Sequence, residues 1–231
     1  MAKVSGQPAV RDMAGRVAAV RERIAVAALR AGRPVEDITL VAISKGHAAS
    51  DVRQVFAAGV WHFGENRVQE AVEKISAARE ERLDAVWHLV GHLQRNKVGA
   101  ALGLFDIIDS LDSLRLAEAI DAQADARVRV LLEVNVANEP TKFGTRPADV
   151  PELVERLGAL RRIELVGLMT VAPPVDDPEA VRPVFRALRR LGVSLGLREL
   201  SMGMTDDFEV AIEEGSTQVR VGRAIFGPRS E

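Results

Sequence analysis

The chain has 231 residues, 47% of them hydrophobic and 28% charged, with 31 basic and 33 acidic residues giving a net charge of −2. Such a composition suits one large domain with a buried core, excludes a disordered or collagen-like chain, and offers no electrostatic case for nucleic acid or an anionic membrane. No apolar run approaches the ~20 residues that span a bilayer, and the opening MAKVSGQPAV lacks the apolar centre of a signal peptide, so a cytoplasmic location is expected.

Val10, Met13, Val17, Val20, Ile24 and Ala27 alternate steps of three and four, which predicts an amphipathic first helix ending near Gly32-Arg33-Pro34. Short apolar runs then alternate with helical stretches. The predicted strands are Thr39–Ser44, Trp61–Phe63, Ala85–Leu89, Phe105–Asp109, Arg129–Val134, Leu165–Leu168, Arg198–Ser201 and Gln218–Val221. Helices are expected near 51–58, 66–79, 93–102, 113–124, 148–160, 178–191 and 206–214. Runs such as TLVAIS and RVLLEV are continuously apolar, as parallel strands covered on both faces require. Eight strands with helices between them predict a single (β/α)8 TIM-type barrel over 1–231, with residues 1–8 flexible. No eighth helix is visible after the last strand, and the opening helix is expected to fill that gap. A doubly wound open sheet is the alternative.

Function in such a barrel collects at the carboxyl ends of the strands. Lys45 follows TLVAIS directly, where apolar walls favour its free amine and hence Schiff-base chemistry. The plain alternative is a lysine that snorkels to solvent or pairs with a carboxylate. SMGMTDDFEVAIEEG and GSTQVRVGRAIFG surround the last two strands, where barrels commonly hold a phosphate. Thr205 is expected to cap the helix opening at Asp206-Asp207. Phosphate contacts are expected from the Ser201 and Thr217 hydroxyls and from the amides around Gly222 and Arg223, unless these residues only cap and turn the chain.

An amine and a phosphate site in one mouth suit pyridoxal 5′-phosphate, a sugar-phosphate aldolase substrate or a keto-acid intermediate. Arg220 stands before Val221-Gly222 at the end of the last strand, where its guanidinium can reach the middle of the mouth. Facing a pyridine nitrogen it would keep that nitrogen unprotonated; otherwise it pairs with an acid such as Glu65 or Glu133. The histidines, His47, His62, His88 and His92, form no ligand motif, and with no cysteine in the chain no metal site is expected.

LVAISK, HFGENRVQEAVEKI, WHLVGHLQRNK, GLMTVAP and SMGMTDDFEVAIEEGSTQVRVGRAIFG together resemble the pyridoxal phosphate homeostasis protein family, similar to the barrel domain of bacterial alanine racemases. The resemblance runs from about Leu40 to Gly227. It implies a monomeric barrel holding the cofactor as an internal aldimine on Lys45, with Ser201, Thr217 and the amides near Gly222 and Arg223 on the phosphate. It places Arg220 at the pyridine nitrogen, with Asn66 and His88 lining the site. Lys142 matches a second lysine proposed to take part in cofactor handling, against the reading of a solvated loop lysine. SKGHAAS departs from the family's more basic first loop and predicts a looser one. A racemase of this type needs a second acid/base, normally tyrosine, and the chain has none. The expected role is therefore buffering of pyridoxal phosphate, or its delivery to apo-enzymes, without catalysis. The alternatives are a weak amino-acid racemase or a Schiff-base lyase.

Overall fold

The computed structural model describes residues 12–227. The expectations of a flexible 1–8 segment and of Val10 in the first helix lie outside the described residues. Strands β1 (Thr39–Ile43), β2 (His62–Glu65), β3 (Val86–Leu89), β4 (Ile107–Leu111), β5 (Val128–Glu133), β6 (Ile163–Met169), β7 (Glu199–Met204) and β8 (Gln218–Val221) form a closed parallel barrel in sequence order. β1 closes on β8 with Val41 opposite Arg220, so the open-sheet alternative is ruled out.

Between the strands run α2 (Ala49–Ala57), α3 (Val68–Glu80), α4 (Val98–Leu102), α5 (Leu114–Gln123), α6 (Val150–Leu157), α7 (Arg182–Ser194) and α8 (Phe208–Glu213). The absence of an eighth helix is corrected: α9 (Arg223–Phe226) follows β8 as a single turn. Both α8 and α9 are too short to cover their side of the barrel. That side is covered by α1 (Met13–Arg30), whose N-cap Asp12 accepts from Gly15 N at 2.8 Å and whose Val17, Val20, Ile24, Ala27 and Ala28 are buried. Arg23 fixes α1 to α8, with Nε 2.7 Å from Glu209 Oε1 and its guanidinium 4.4 Å from the Phe208 ring centre.

Strand limits move where a polar bond, not hydrophobicity, sets them. Phe105 lies ahead of β4 because Asp106 bridges back to β3, its carboxylate accepting from Trp87 N at 2.7 Å. Trp61, expected to open β2, stands 61% exposed before it. The segments expected at 93–102 and 178–191 each begin with a 3-10 turn, at Arg95–Lys97 and Pro178–Val181.

Alternation along each strand divides its side chains between two environments. Phe63, Trp87, Ile108, Leu132, Leu200 and Val219 join the main core against the helices. Inside the barrel, Ile107, Leu131 and Met169 form a small apolar cluster, and much of the remaining interior is polar. No helix among the described residues is long and apolar enough to cross a membrane.

Candidate functional site

Lys45 stands two residues beyond β1, half-buried, in a turn closed by His47 N donating to Ser44 O at 3.0 Å. Gly46 takes φ 75° there, a conformation glycine adopts without the Cβ clash of other residues. The His47 ring stacks on Phe226 of α9 with centroids 4.9 Å apart. The expectation of a loose first loop is therefore corrected: an aromatic stack ties it to the segment after β8.

Beneath that turn lies a buried ion pair. Lys74 of α3 reaches Glu65 Oε1 at 2.6 Å and Ser44 O at 2.7 Å, while Ser44 Oγ donates to the same Glu65 oxygen at 2.6 Å. Glu65, the last residue of β2, is wholly buried, and its Oε2 has no hydrogen-bond partner. Asn66 follows it, half-buried, its backbone so close to Gly91 that a Cβ on Gly91 would sit 2.3 Å from Asn66 O.

On β8, the strand beside β1, Arg220 is 4% exposed. Its Nη1 donates to Ser201 Oγ at 2.7 Å and its Nη2 to Thr170 O at 2.7 Å. Burial lowers its pKa, opposed by the charges of Asp109, Glu133 and Asp207. The alternative pairing of Arg220 with Glu65 is not formed: the guanidinium is held by Ser201 and Thr170, while Glu65 has Lys74 and Ser44 on Oε1. Glu133 at the end of β5 is pushed up to about 7 by burial and by Asp112, with Arg220 pulling the other way.

Gly222 lies against β1, where an added Cβ would stand 3.4 Å from Ile43 O. It opens α9, where Ile225 N and Phe226 N donate back to Gly222 O at 2.9 and 3.0 Å, leaving the amides of Arg223 and Ala224 without an acceptor in the helix. The exposed Arg223 side chain pairs with Asp206 of the β7–α8 turn. Thr205 does not cap α8: that turn is closed by Asp207, which accepts from Met204 N at 2.6 Å.

Two expected phosphate hydroxyls are elsewhere. Thr217 precedes β8, at the far end of the barrel from Lys45, with its Oγ1 accepting from Leu200 N at 2.8 Å. Ser201 points into the interior, wholly buried, between Arg220 and Asp109. A motif quoted as a string does not show which end or which face of a strand each residue occupies.

His88 is also interior and wholly buried, with Nδ1 2.8 Å from Asp109 Oδ1 and Nε2 3.0 Å from His62 Nδ1. His62 is held down to about 4, first by burial and then by His88 and Arg129. His92 lies outside, stacked on Phe143 and 2.9 Å from Asp112. Lys142 reaches Ala172 O at 3.3 Å and Glu139 at 2.7 Å, beside a cleft of about 220 Å³ between the β6 and β7 loops. Among the described residues no cluster of His, Cys, Asp or Glu could hold a metal ion. Lys74, Asp109, Thr170 and His62 escaped the sequence reading. The available signal was polar residues inside otherwise apolar strands, as in IIDSL.

The family model of the alanine racemase N-terminal domain matches residues 16–230. A protein of Aquifex aeolicus (strain VF5) named pyridoxal phosphate homeostasis protein is 43% identical over 223 residues, covering 93% of this chain and 97% of its own. The structure of PipY from Synechococcus elongatus PCC7942 with PLP bound is similar at a TM-score of 0.78 and 37% identity, over 90% of this chain and all of that one. An alanine racemase of Clostridium difficile 630 shares the fold at 16% identity and a TM-score of 0.73, over 96% of this chain and 58% of its own. The chain belongs to the pyridoxal phosphate homeostasis protein family, built on the alanine racemase N-terminal domain.

Proposed function

We propose that this protein binds pyridoxal 5′-phosphate through Lys45 and serves its homeostasis, holding and releasing the cofactor without catalysing a reaction on it. The observation that carries the reading is the placement of Lys45 just beyond the end of β1, next to β8, whose Arg220 stands opposite Val41 as a buried, pinned cation. Support comes from the PLP named in the PipY structure and from the name of the Aquifex relative.

The residues present fit the group. Lys45 offers an amine for the aldehyde, and Arg220 a donor for the ring nitrogen. Gly222 and the amides of Arg223 and its neighbour offer close backbone approach for the phosphate. Asn66 lines the mouth beside Glu65, and His88 acts from below through Asp109. Bound there, the cofactor supplies an electrophilic aldehyde that a lysine amine can hold covalently and reversibly.

A guanidinium donates hydrogen bonds but does not give up its proton, so the ring nitrogen it faces stays unprotonated and the ring remains a weak electron sink. This argues for a holding role over racemisation, as does the lack of any tyrosine in the 231 residues to act as a second acid/base. The buffered cofactor is then available to PLP-dependent apo-enzymes, with the protein acting as a monomer in the cytoplasm.

Titration of the protein with pyridoxal 5′-phosphate tests the reading by visible absorbance, followed by borohydride reduction and mass spectrometry. A yellow band lost in Lys45→Ala, with a pyridoxyl-sized adduct on Lys45, is the expected result. A substrate-sized adduct on Lys45 from cell extract would make the protein a Schiff-base lyase instead. Transfer to an apo-enzyme no faster than from free solution would remove the delivery role.

A further inference from the structure

The barrel interior holds a line of hydrogen bonds running from the N-terminal end of β2 to the mouth. Asp109 stands at its centre, wholly buried, with Oδ1 2.8 Å from His88 Nδ1 and Oδ2 3.1 Å from Ser201 Oγ. A carboxylate only accepts, so both neighbours donate to it. Ser201 has then committed its hydroxyl proton to Asp109 and turns a lone pair to Arg220 Nη1 at 2.7 Å. Thr170 O takes Nη2, and the Thr170 hydroxyl is itself fixed on Val134 O at 2.7 Å. On the other flank His62 backs His88 at 3.0 Å.

The directions matter. A proton wire needs donors pointing one way along its length, whereas here they converge on Asp109 from both sides. This line anchors; it does not conduct. The hydroxyl between Asp109 and Arg220 also keeps the guanidinium from collapsing onto the carboxylate, while the negative charge stays close enough to favour the cation.

We infer that Asp109 and Ser201 are positioning residues that aim Arg220 at the ring nitrogen of the bound aldehyde and so set a preference for ligands that carry that nitrogen. The inference rests on the pyridoxal phosphate reading above. Its test compares pyridoxal 5′-phosphate with the 1-deaza analogue, in which C–H replaces the ring nitrogen, by absorbance titration. Wild type, Ser201→Ala and Asp109→Asn are titrated, each with its thermal midpoint, beside Lys45→Ala.

Wild type is expected to prefer pyridoxal 5′-phosphate by roughly tenfold or more, the worth of one charge-assisted hydrogen bond. Ser201→Ala, which removes one oxygen, is expected to bring that ratio near one while still binding both ligands through Lys45. If Ser201→Ala fails to fold, Asp109→Asn supplies the same comparison. Folded variants that keep the wild-type ratio overturn the inference, as does a wild type indifferent to the ring nitrogen. A wild type that binds neither aldehyde through Lys45 overturns the underlying cofactor reading instead.

Discussion

Lys74 Nζ lies 2.6 Å from Glu65 Oε1, both side chains buried, directly beneath the turn that carries Lys45. The same ammonium holds Ser44 O, so the pair fixes the end of β1 to the end of β2. Removing one partner strands the other charge in the interior, at a cost of about 3–5 kcal/mol. Lys74→Met is accordingly expected to lower the urea midpoint sharply. Adding Glu65→Gln to it is expected to restore much of the loss, because no net charge is then left buried. Equal losses in the single and double variants would show that packing, not charge, dominates at this position.

Glu133 and His62 oppose each other in their pH dependence. The folded-state pKa of Glu133 is raised to about 7 by burial and Asp112. Between ~4.5 and about 7 the native state thus binds the extra proton, and the Glu133 contribution, full at low pH, is lost as pH rises. At ~1.4 kcal/mol per unit that loss is on the order of 3 kcal/mol. His62 is lowered to about 4, so the unfolded state binds the extra proton between about 4 and ~6.5, and stability is lost as pH falls through that range.

The two slopes overlap near pH 5–6 and largely cancel. Glu133→Gln is expected to unmask stability that rises with pH, and His62→Gln stability that falls with it. Urea unfolding at intervals from pH 4.5 to 7.5 reads both slopes. Parallel curves for the three proteins would refute the opposition.

Gly91 admits the backbone of Asn66 where no Cβ fits, since an added methyl would lie 2.3 Å from Asn66 O and 2.8 Å from its Cα. Neither contact is with a flexible side-chain end, so the β2–α3 turn has to move. Gly91→Ala is expected to cost about 1–3 kcal/mol, as overpacking does. It is also expected to weaken pyridoxal phosphate binding severalfold. A variant as stable as wild type, measured by thermal melt, would mean that the turn shifts freely.

The stacked pair His47 and Phe226 joins the Lys45 turn to α9, the segments that follow the neighbouring strands β1 and β8. His47→Ala is expected to free that turn. Amide hydrogen exchange from Gly46 to Ala49 should then quicken more than tenfold, the effect of losing roughly 1.4 kcal/mol of local stability. Unchanged exchange would place the restraint in the Ser44–His47 turn alone.

The alternation of apolar strands with helical stretches fixed the barrel from sequence, because the two periodicities report which faces are buried wherever the chain is mostly apolar. The position of Lys45 just past the end of β1 was legible for the same reason: it directly follows an uninterrupted apolar run. The long first helix was expected to fill a gap after the last strand, and it does cover that side, where α8 and α9 are short. Only the tertiary structure decided which residues meet. Ser201 and Thr217 sit in one recognisable pair of motifs, yet one faces the interior beside Arg220 and the other lies at the opposite end of the barrel. Asp109, His62 and His88 come from three separate strands, and Ser201 lies 92 residues beyond the Asp109 it contacts. Closure of the barrel joins them: eight tilted strands turn their alternate residues toward one axis, where unpaired polar groups must find partners across the interior.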